Sequence, residues 1–318
     1  MPKTKHITPA DFEAVWGGPL SDYVKGKIEK YDLRYEECTR EERDKWLRFI
    51  CEVLLHPREL IKAGSHREQE WEKGWSENAK AFAASRNISD IYPHYFGKYP
   101  VGRWRGDLVK PVSADYERLM FAVIQDWLFD MYLKDTNAIY EFGCGTGHNL
   151  LRARAANPRA ALMGFDWAES SGDTIRSMRE AGILDNVFFS RFDFFNPDAT
   201  VAFSPNTGVY TAAALEQIGN KFEPFLQFLL KKKPKVCVHI EPIAELLDET
   251  KLLDYLSLEY FKARNYLFGF LTRLRELEKE GYITIHRAQC THIGSLFIEG
   301  YSVVVWSPRS LEEPRKSD

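Results

Sequence analysis

The chain has few cysteines, no long apolar run and no excess of charge, and each shortage removes a class of function. Its five cysteines, Cys38, Cys51, Cys144, Cys237 and Cys290, are scattered, odd in number and never spaced C-x-x-C. That argues against a disulfide framework or a zinc site and fits a reducing compartment, so a cytoplasmic protein without a metal is expected. No stretch approaches the roughly 18 uninterrupted apolar residues of a bilayer-spanning helix. Met1 to Ala10 carries two lysines but no apolar core, so it does not read as a secretory signal. A net charge of −3 on 318 residues gives no general attraction to nucleic acid or to an anionic membrane. Internal repeats and low-complexity tracts are also missing. What remains is 44% hydrophobic and 28% charged, an ordinary globular composition that can hold one large or two modest domains.

Against this plain background one octapeptide stands out. Tyr140 to Gly147 reads Tyr-Glu-Phe-Gly-Cys-Gly-Thr-Gly. A short apolar strand ends in the acid Glu141, and Gly143, Gly145 and Gly147 follow at every second position. The helix-compatible run His148 to Ala156 comes next. Strand, glycine turn and helix let a ligand approach bare backbone and meet the N-terminal end of a helix. The spacing is G-x-G-x-G, not the G-x-G-x-x-G of dinucleotide binding. Two more acids stand at the ends of the next two apolar runs. Asp166, followed by Trp167, closes 160–166, and Asp193, followed by Phe194, comes just after 186–192.

This acid–glycine loop resembles the first motif of class I S-adenosylmethionine-dependent methyltransferases. The resemblance covers about residues 113 to 308. It implies that the loop faces the amino-acid end and ribose of the cofactor. Glu141, Gly143, Gly145 and Gly147 would then form the loop site, and Asp166 would hold the ribose hydroxyls. Trp167 would offer a flat face to the adenine, Asp193 would accept from the adenine amino group, and Phe194 would pack on the ring. The implied fold is α/β, a Rossmann-like seven-stranded methyltransferase sheet with helices on both faces.

The pattern along the chain is consistent with that fold. Apolar runs at about 137–141, 160–166, 186–192, 207–213 and 235–241 read as parallel strands covered on both faces. Two more, Gly281 to His286 and Tyr301 to Trp306, read as a terminal pair around a 14-residue connection. A helix is expected from Ser113 to about Leu133, and another, or two broken near 265–269, over 251–279. Residues 1–112 read as a helical N-terminal extension, with a capping box at Thr39-Arg-Glu-Glu42. A second helix is expected over 65–84, with Trp71, Trp75, Ala79 and Phe82 on one stripe. Residues 113–310 form the expected methyltransferase domain, and 311–318 a disordered tail.

Within the extension, Ile91 to Gly106 holds two prolines, three glycines and three tyrosines. It is too irregular for a helix and too aromatic for a linker. It is expected to cover the strand ends, with Tyr92, His94, Tyr95, Tyr99, Arg103 and Arg105 as substrate-binding residues. Arginine suits planar recognition of carboxylate or phosphate. Ligands of open α/β sheets lie beyond the carboxyl ends of the strands. The candidate catalytic bases are therefore Glu216 after the fourth strand, and His239 and Glu241 at the end of the fifth.

The resemblance implies a methyltransferase using S-adenosyl-L-methionine on a small, acidic or sugar-like O- or N-acceptor by in-line displacement. The motifs that grip a nucleic-acid base, Asn/Asp-Pro-Pro-Tyr/Phe and Pro-Cys, are missing, so a nucleic-acid partner is not expected. A protein or RNA methyltransferase and a non-catalytic S-adenosylmethionine-binding protein remain as alternatives.

Overall fold

A computed structural model describes residues 3–309. The expected tail, 311–318, lies outside them. The N-terminal segment runs through β1 (Lys5–His6), α1 (Pro9–Trp16), α2 (Asp22–Ile28), β2 (Arg34–Glu37), α3 (Arg40–Leu55) and α4 (Glu68–Ser85). It continues through β3 (Gly102–Trp104) and β4 (Asp107–Pro111) to α5 (Tyr116–Tyr132). Strands and helices then alternate: β5 (Ala138–Phe142), α6 (His148–Ala156), β6 (Ala161–Asp166), α7 (Glu169–Glu180), β7 (Val187–Arg191), β8 (Thr207–Ala212), α8 (Glu223–Lys232) and β9 (Val236–Glu241). The chain closes with α9 (Leu252–Arg264), α10 (Phe270–Lys279), β10 (Ile283–Gln289), β11 (Ile293–Gly294) and β12 (Ser302–Pro308).

Seven strands form one sheet in the order β10-β12-β9-β8-β5-β6-β7. β5 to β9 are parallel, while β12 runs antiparallel to β9 and β10 antiparallel to β12. The five parallel runs thus become strands within a residue of their expected limits, while the two terminal runs fall later, at 283–289 and 302–308. β5, β8 and β9 are buried along their whole length because both faces are covered, and the edge strand β7 is not. On one face, Ile139, Leu162, Tyr210, Val238 and Val303 pack with the N-terminal helices and α5. On the other, Phe142, Phe165, Val209, Cys237 and Trp306 pack with α8 and α10.

Strand order reverses at β5, whose neighbours are β6 and β8. A crevice opens at such a reversal, beyond the carboxyl ends of the strands. The glycine loop leaves β5 at that point.

The N-terminal segment is partly strand, which its composition did not disclose. β1, β2, β4 and β3 join β11 in a five-stranded antiparallel sheet. β11 comes from the connection between β10 and β12, so the first hundred residues are hydrogen-bonded to the end of the chain. Strands of two to five residues are too short to show an alternating pattern. The helices there are as read. The Thr39 hydroxyl accepts from the Glu42 N–H at 3.2 Å, and the Glu42 carboxylate accepts from the Thr39 N–H at 2.8 Å. Stacked Trp16 and Trp127, 4.3 Å between centroids, pack α1 onto α5. The long stretch 251–279 is two helices, broken where Asn265 adopts a left-handed conformation (φ 55°).

Candidate active site

Each glycine of the loop sits where a side chain would collide. Gly143 (φ +77°) would place a Cβ 2.4 Å from the Ala214 Cβ, and Gly147 (φ +76°) one 2.8 Å from Ile175 Cγ1. Gly145 (φ +53°) would place one 3.1 Å from the ring of Trp75. The first two glycines let the loop pass under the turn after β8 and over α7. The third observation concerns the outer face: an indole from α4 lies directly on the loop.

Acids hold this loop from below. Glu141 is fully buried and accepts from Asn149 Nδ2 and from the Tyr210 hydroxyl, each at 2.7 Å. Burial pushes its carboxyl up to about 8. It therefore supports the loop and the start of α6 from beneath and does not face a cavity. Asp166 accepts from the Gly145 N–H at 2.8 Å through one oxygen and from the Ala168 N–H at 3.0 Å through the other. Burial raises its carboxyl to about 6, against these backbone donors.

Two adjoining cavities lie over the loop. The smaller, about 60 Å³, is a slot between Trp71, Trp75, Asp166, Trp167, Phe194 and Ile218. The larger, about 280 Å³, shares Trp71, Trp75, Gly143, Ala213 and Gln217 with it. It extends over Gly145, His148 and Asn149 and past Glu216 to a wall of tyrosines. Tyr95 and Tyr99 come from the aromatic loop, Tyr260 and Tyr266 from α9 and its end, and Tyr301 from the start of β12.

Glu216 reaches this cavity because the turn before it is tightly specified. Ala213 takes a left-handed conformation (φ 52°), unusual for a residue with a Cβ. The buried Glu241 carboxylate accepts from the Ala214 N–H at 3.0 Å and the Glu216 N–H at 3.4 Å. Burial pushes the Glu216 carboxyl up to about 8, and the nearby Glu241 charge pushes it the same way. Its partner is the Gln217 amide at 2.8 Å. His148, first residue of α6, receives or donates a hydrogen bond at Nδ1 from the Thr146 hydroxyl, 3.1 Å away. Its Nε2 is buried without a partner, and burial holds the ring's pKa down at about 3.

An acid-tipped first strand, a G-x-G-x-G loop under a ligand-sized cavity, five parallel strands and a terminal antiparallel pair occur together. This is the class I methyltransferase fold. No family model matches the chain, and no curated relative matches it. Among solved structures it is similar to geranyl diphosphate C-methyltransferase from Streptomyces coelicolor A3(2), at 14% identity and a TM-score of 0.46, over 74% of this chain and 98% of that one. It is also similar to magnesium protoporphyrin IX methyltransferase from Synechocystis PCC 6803, at 15% identity and a TM-score of 0.45, over 60% and 82%. For an O-methyltransferase from neocarzinostatin biosynthesis the figures are 14%, 0.41, and 61% of this chain; there the match spans only 58% of the other chain's length.

Several site residues expected from the class I pattern fall elsewhere. His239 is a core residue: its Nδ1 meets the Thr211 hydroxyl at 2.9 Å and its Nε2 accepts from the Trp306 indole at 3.0 Å. Both nitrogens are engaged, so it is not placed as a base. Glu241 is likewise spent on the turn it holds and lines neither cavity. Asp193 accepts from the Phe195 N–H at 2.8 Å and the Asn196 amide at 3.0 Å. It closes its own turn, in a separate depression with Arg191 and Phe195, and faces neither cavity on the loop. Phe194 and Trp167 do line the small slot.

Of the aromatic-loop candidates, Tyr95 and Tyr99 line the large cavity. Tyr92 instead lies under the Arg118 guanidinium, 4.4 Å from its ring centroid, and His94 is exposed on the surface. The two arginines are both structural. Arg103 is buried and donates to the carbonyls of Leu253, Ser295 and Leu296 and to the Ser257 hydroxyl, at 2.7–3.2 Å. Arg105 pairs at the surface with Asp11 at 2.9 Å. Their substitutions should therefore separate. Arg103→Ala leaves four buried acceptors short of a donor and should cost roughly 3 kcal/mol or more of stability. Arg105→Ala should cost less than about 1 kcal/mol. Urea unfolding of both variants checks this, and equal midpoints would contradict the assignment.

Sequence reasoning missed Trp71 and Trp75, which it placed on a helix stripe with Ala79 and Phe82. It also missed His148, Asn149 and Glu117. Nothing local distinguishes the tryptophans from core residues, because the surface Trp75 covers lies 70 residues away at Gly145.

Proposed function

We propose that the protein is an S-adenosylmethionine-dependent methyltransferase acting on a small-molecule O- or N-acceptor. The observation that carries this reading is the pair of adjoining cavities over a single acid-held glycine loop. One is a flat aromatic slot beside Asp166, and the other a larger chamber of mixed lining with a carboxyl at its wall.

The residues present fit the cofactor. Gly143 and Gly145 line the larger cavity, so the loop backbone borders the space a cofactor would take. Trp167 and Phe194 flank the slot with flat apolar surface suited to a nucleobase. Asp166 retains free lone pairs beyond the two it gives to backbone N–H groups, enough to accept from ribose hydroxyls. The cofactor supplies an electrophilic methyl group on a sulfonium. The chain's part is to align an acceptor with that methyl and to take the acceptor's proton. Alignment can contribute several kcal/mol of the barrier. Glu216 is the base in this reading, and the neutral His148 Nε2 is a second acceptor that orients the reacting group. Trp71, Trp75, Tyr95 and Tyr99 come from the N-terminal segment and line one side of the cavities. A chamber of about 280 Å³ suits a small acceptor over a protein or nucleic-acid strand.

Titration calorimetry tests the first step. S-adenosylmethionine or its demethylated product should bind with one-to-one stoichiometry, while NAD should bind weakly or not at all. Tighter binding of NAD would overturn the reading.

A further inference from the structure

One cation of the large cavity is held by rings and joins no ion pair among the described residues. It is Arg264, the last residue of α9. Its Nε is buried and has no hydrogen-bond partner. Among the described residues it joins no ion pair, whereas Arg67, on the same wall, binds Glu70 at 3.0 Å and the Gln217 amide at 2.7 Å. Arg264 is held by ring faces instead. Its guanidinium carbon lies 5.2 Å from the Tyr266 centroid and 5.9 Å from that of Tyr260. Contacts of that kind fix the orientation of the plane without using its N–H donors. An arginine so fixed, with its Nε unpartnered at a cavity wall, matches a planar anion.

The surroundings agree. Lys98 and Arg67 also line the chamber. Of its two acids, Glu216 has its carboxyl pushed up to about 8 by burial and by the nearby Glu241, and burial also raises that of Glu117. Glu117 is already committed to the Gly97 N–H and the Tyr301 hydroxyl, each at 3.0 Å. The rest of the wall is largely apolar and includes the rings of Tyr95, Tyr99, Phe297 and Tyr301. A charged end at Arg264 would therefore leave an unsaturated body against these rings and carry its far side toward Glu216.

We infer that Arg264 anchors the acceptor substrate through a carboxylate or phosphate, and that the acceptor is an aromatic or otherwise planar anion. This rests on the reading of the large cavity as the acceptor site. Two anions of different source, an aryl carboxylate and an aryl phosphate, share the chemistry, and the test separates them.

The full chain, saturated with S-adenosylhomocysteine, is titrated calorimetrically with benzoate, phenyl phosphate and the neutral isostere benzamide. At least one anion should bind about tenfold tighter than benzamide, the range expected for a hydrogen bond to a charged group. The tighter of the two identifies the anionic group. Arg264→Gln should erase the preference, and Arg264→Lys should keep part of it, since the charge remains but the fork does not. Benzamide binding as well as both anions, binding of none of the three, or a preference unchanged in Arg264→Gln would each overturn the inference. S-adenosylhomocysteine affinity is measured separately in the same proteins. Its absence would defeat the methyltransferase reading, while the anion preference could still be read on the chain alone.

Discussion

Replacing Glu216 with glutamine is expected to lower methyl transfer by about 10²- to 10⁴-fold, the usual contribution of a positioned base. S-adenosylmethionine affinity should be unchanged. Glu216 stands at the cavity wall, and the turn that presents it is fixed by Glu241. Its carboxyl is pushed up to about 8, so the protonated form dominates at neutral pH and the basic form grows as pH rises. Turnover of the native protein should climb with pH and level off above about 8. In Glu216→Gln that climb should vanish. Glu241, at about 7, is coupled to Glu216, so the rise belongs to the pair of carboxyls. His148 cannot imitate it, because its pKa of about 3 leaves the ring neutral throughout this range.

The same substitution has a predictable effect on stability, which guards against a trivial explanation. The folded carboxyl titrates above its unfolded value. Between about pH 4.5 and 8, the folded chain thus keeps a proton that the unfolded chain releases. Native stability contributed by Glu216 is complete below that window and is lost as pH rises through about 8. Glutamine removes this loss. A Glu216→Gln protein that is inactive yet at least as stable as the native one at pH 8 would establish a chemical role. Full activity across the pH range would remove Glu216 from the chemistry.

What could be read without coordinates follows a physical divide between contiguous and distributed signals. The loop from Glu141 to Gly147 was legible because strand, turn and helix are adjacent in sequence and glycine has few other reasons to recur at every second position. The parallel strands were legible because burial on both faces leaves nearly unbroken apolar runs. Of Glu216, His239 and Glu241, strand-end position favoured Glu241, which ends its strand just before Pro242, yet the structure spends it on a turn. What separates them is where their partners come from. His239 is claimed by Trp306, 67 residues away, and Glu241 by the backbone of the neighbouring turn. Arg103 was misread for a similar reason. A basic residue in an irregular loop is usually a surface group, yet the carbonyls that bury it belong to residues 253 and 295–296. Trp75 is the converse: its helical stripe looked like core, and the surface it covers is the glycine loop.

Asp166→Ala is expected to damage both the fold and the cofactor site, and the two losses can be separated. The carboxylate satisfies the buried N–H groups of Gly145 and Ala168. An unpaired buried donor costs about 1–3 kcal/mol, so alanine should lower stability by at least about 2 kcal/mol. It also frees the central residue of the loop and removes the acceptors proposed for the ribose. S-adenosylmethionine affinity should fall by at least about tenfold. Asp166→Asn keeps one acceptor oxygen but turns an NH2 toward the other backbone N–H, so it should recover about half of the lost stability while still weakening binding. Burial lifts the native carboxyl to about 6, so the ionised form, the better acceptor, appears as pH rises through that value. Affinity of the native protein should therefore increase between about pH 5 and 7, and that of Asp166→Asn should stay flat. Calorimetry at several pH values, with urea unfolding of the same samples, reads both effects. An alanine variant that binds as tightly as the native chain would show that Asp166 holds only the loop, and the ribose would then need another acceptor at the edge of the small slot.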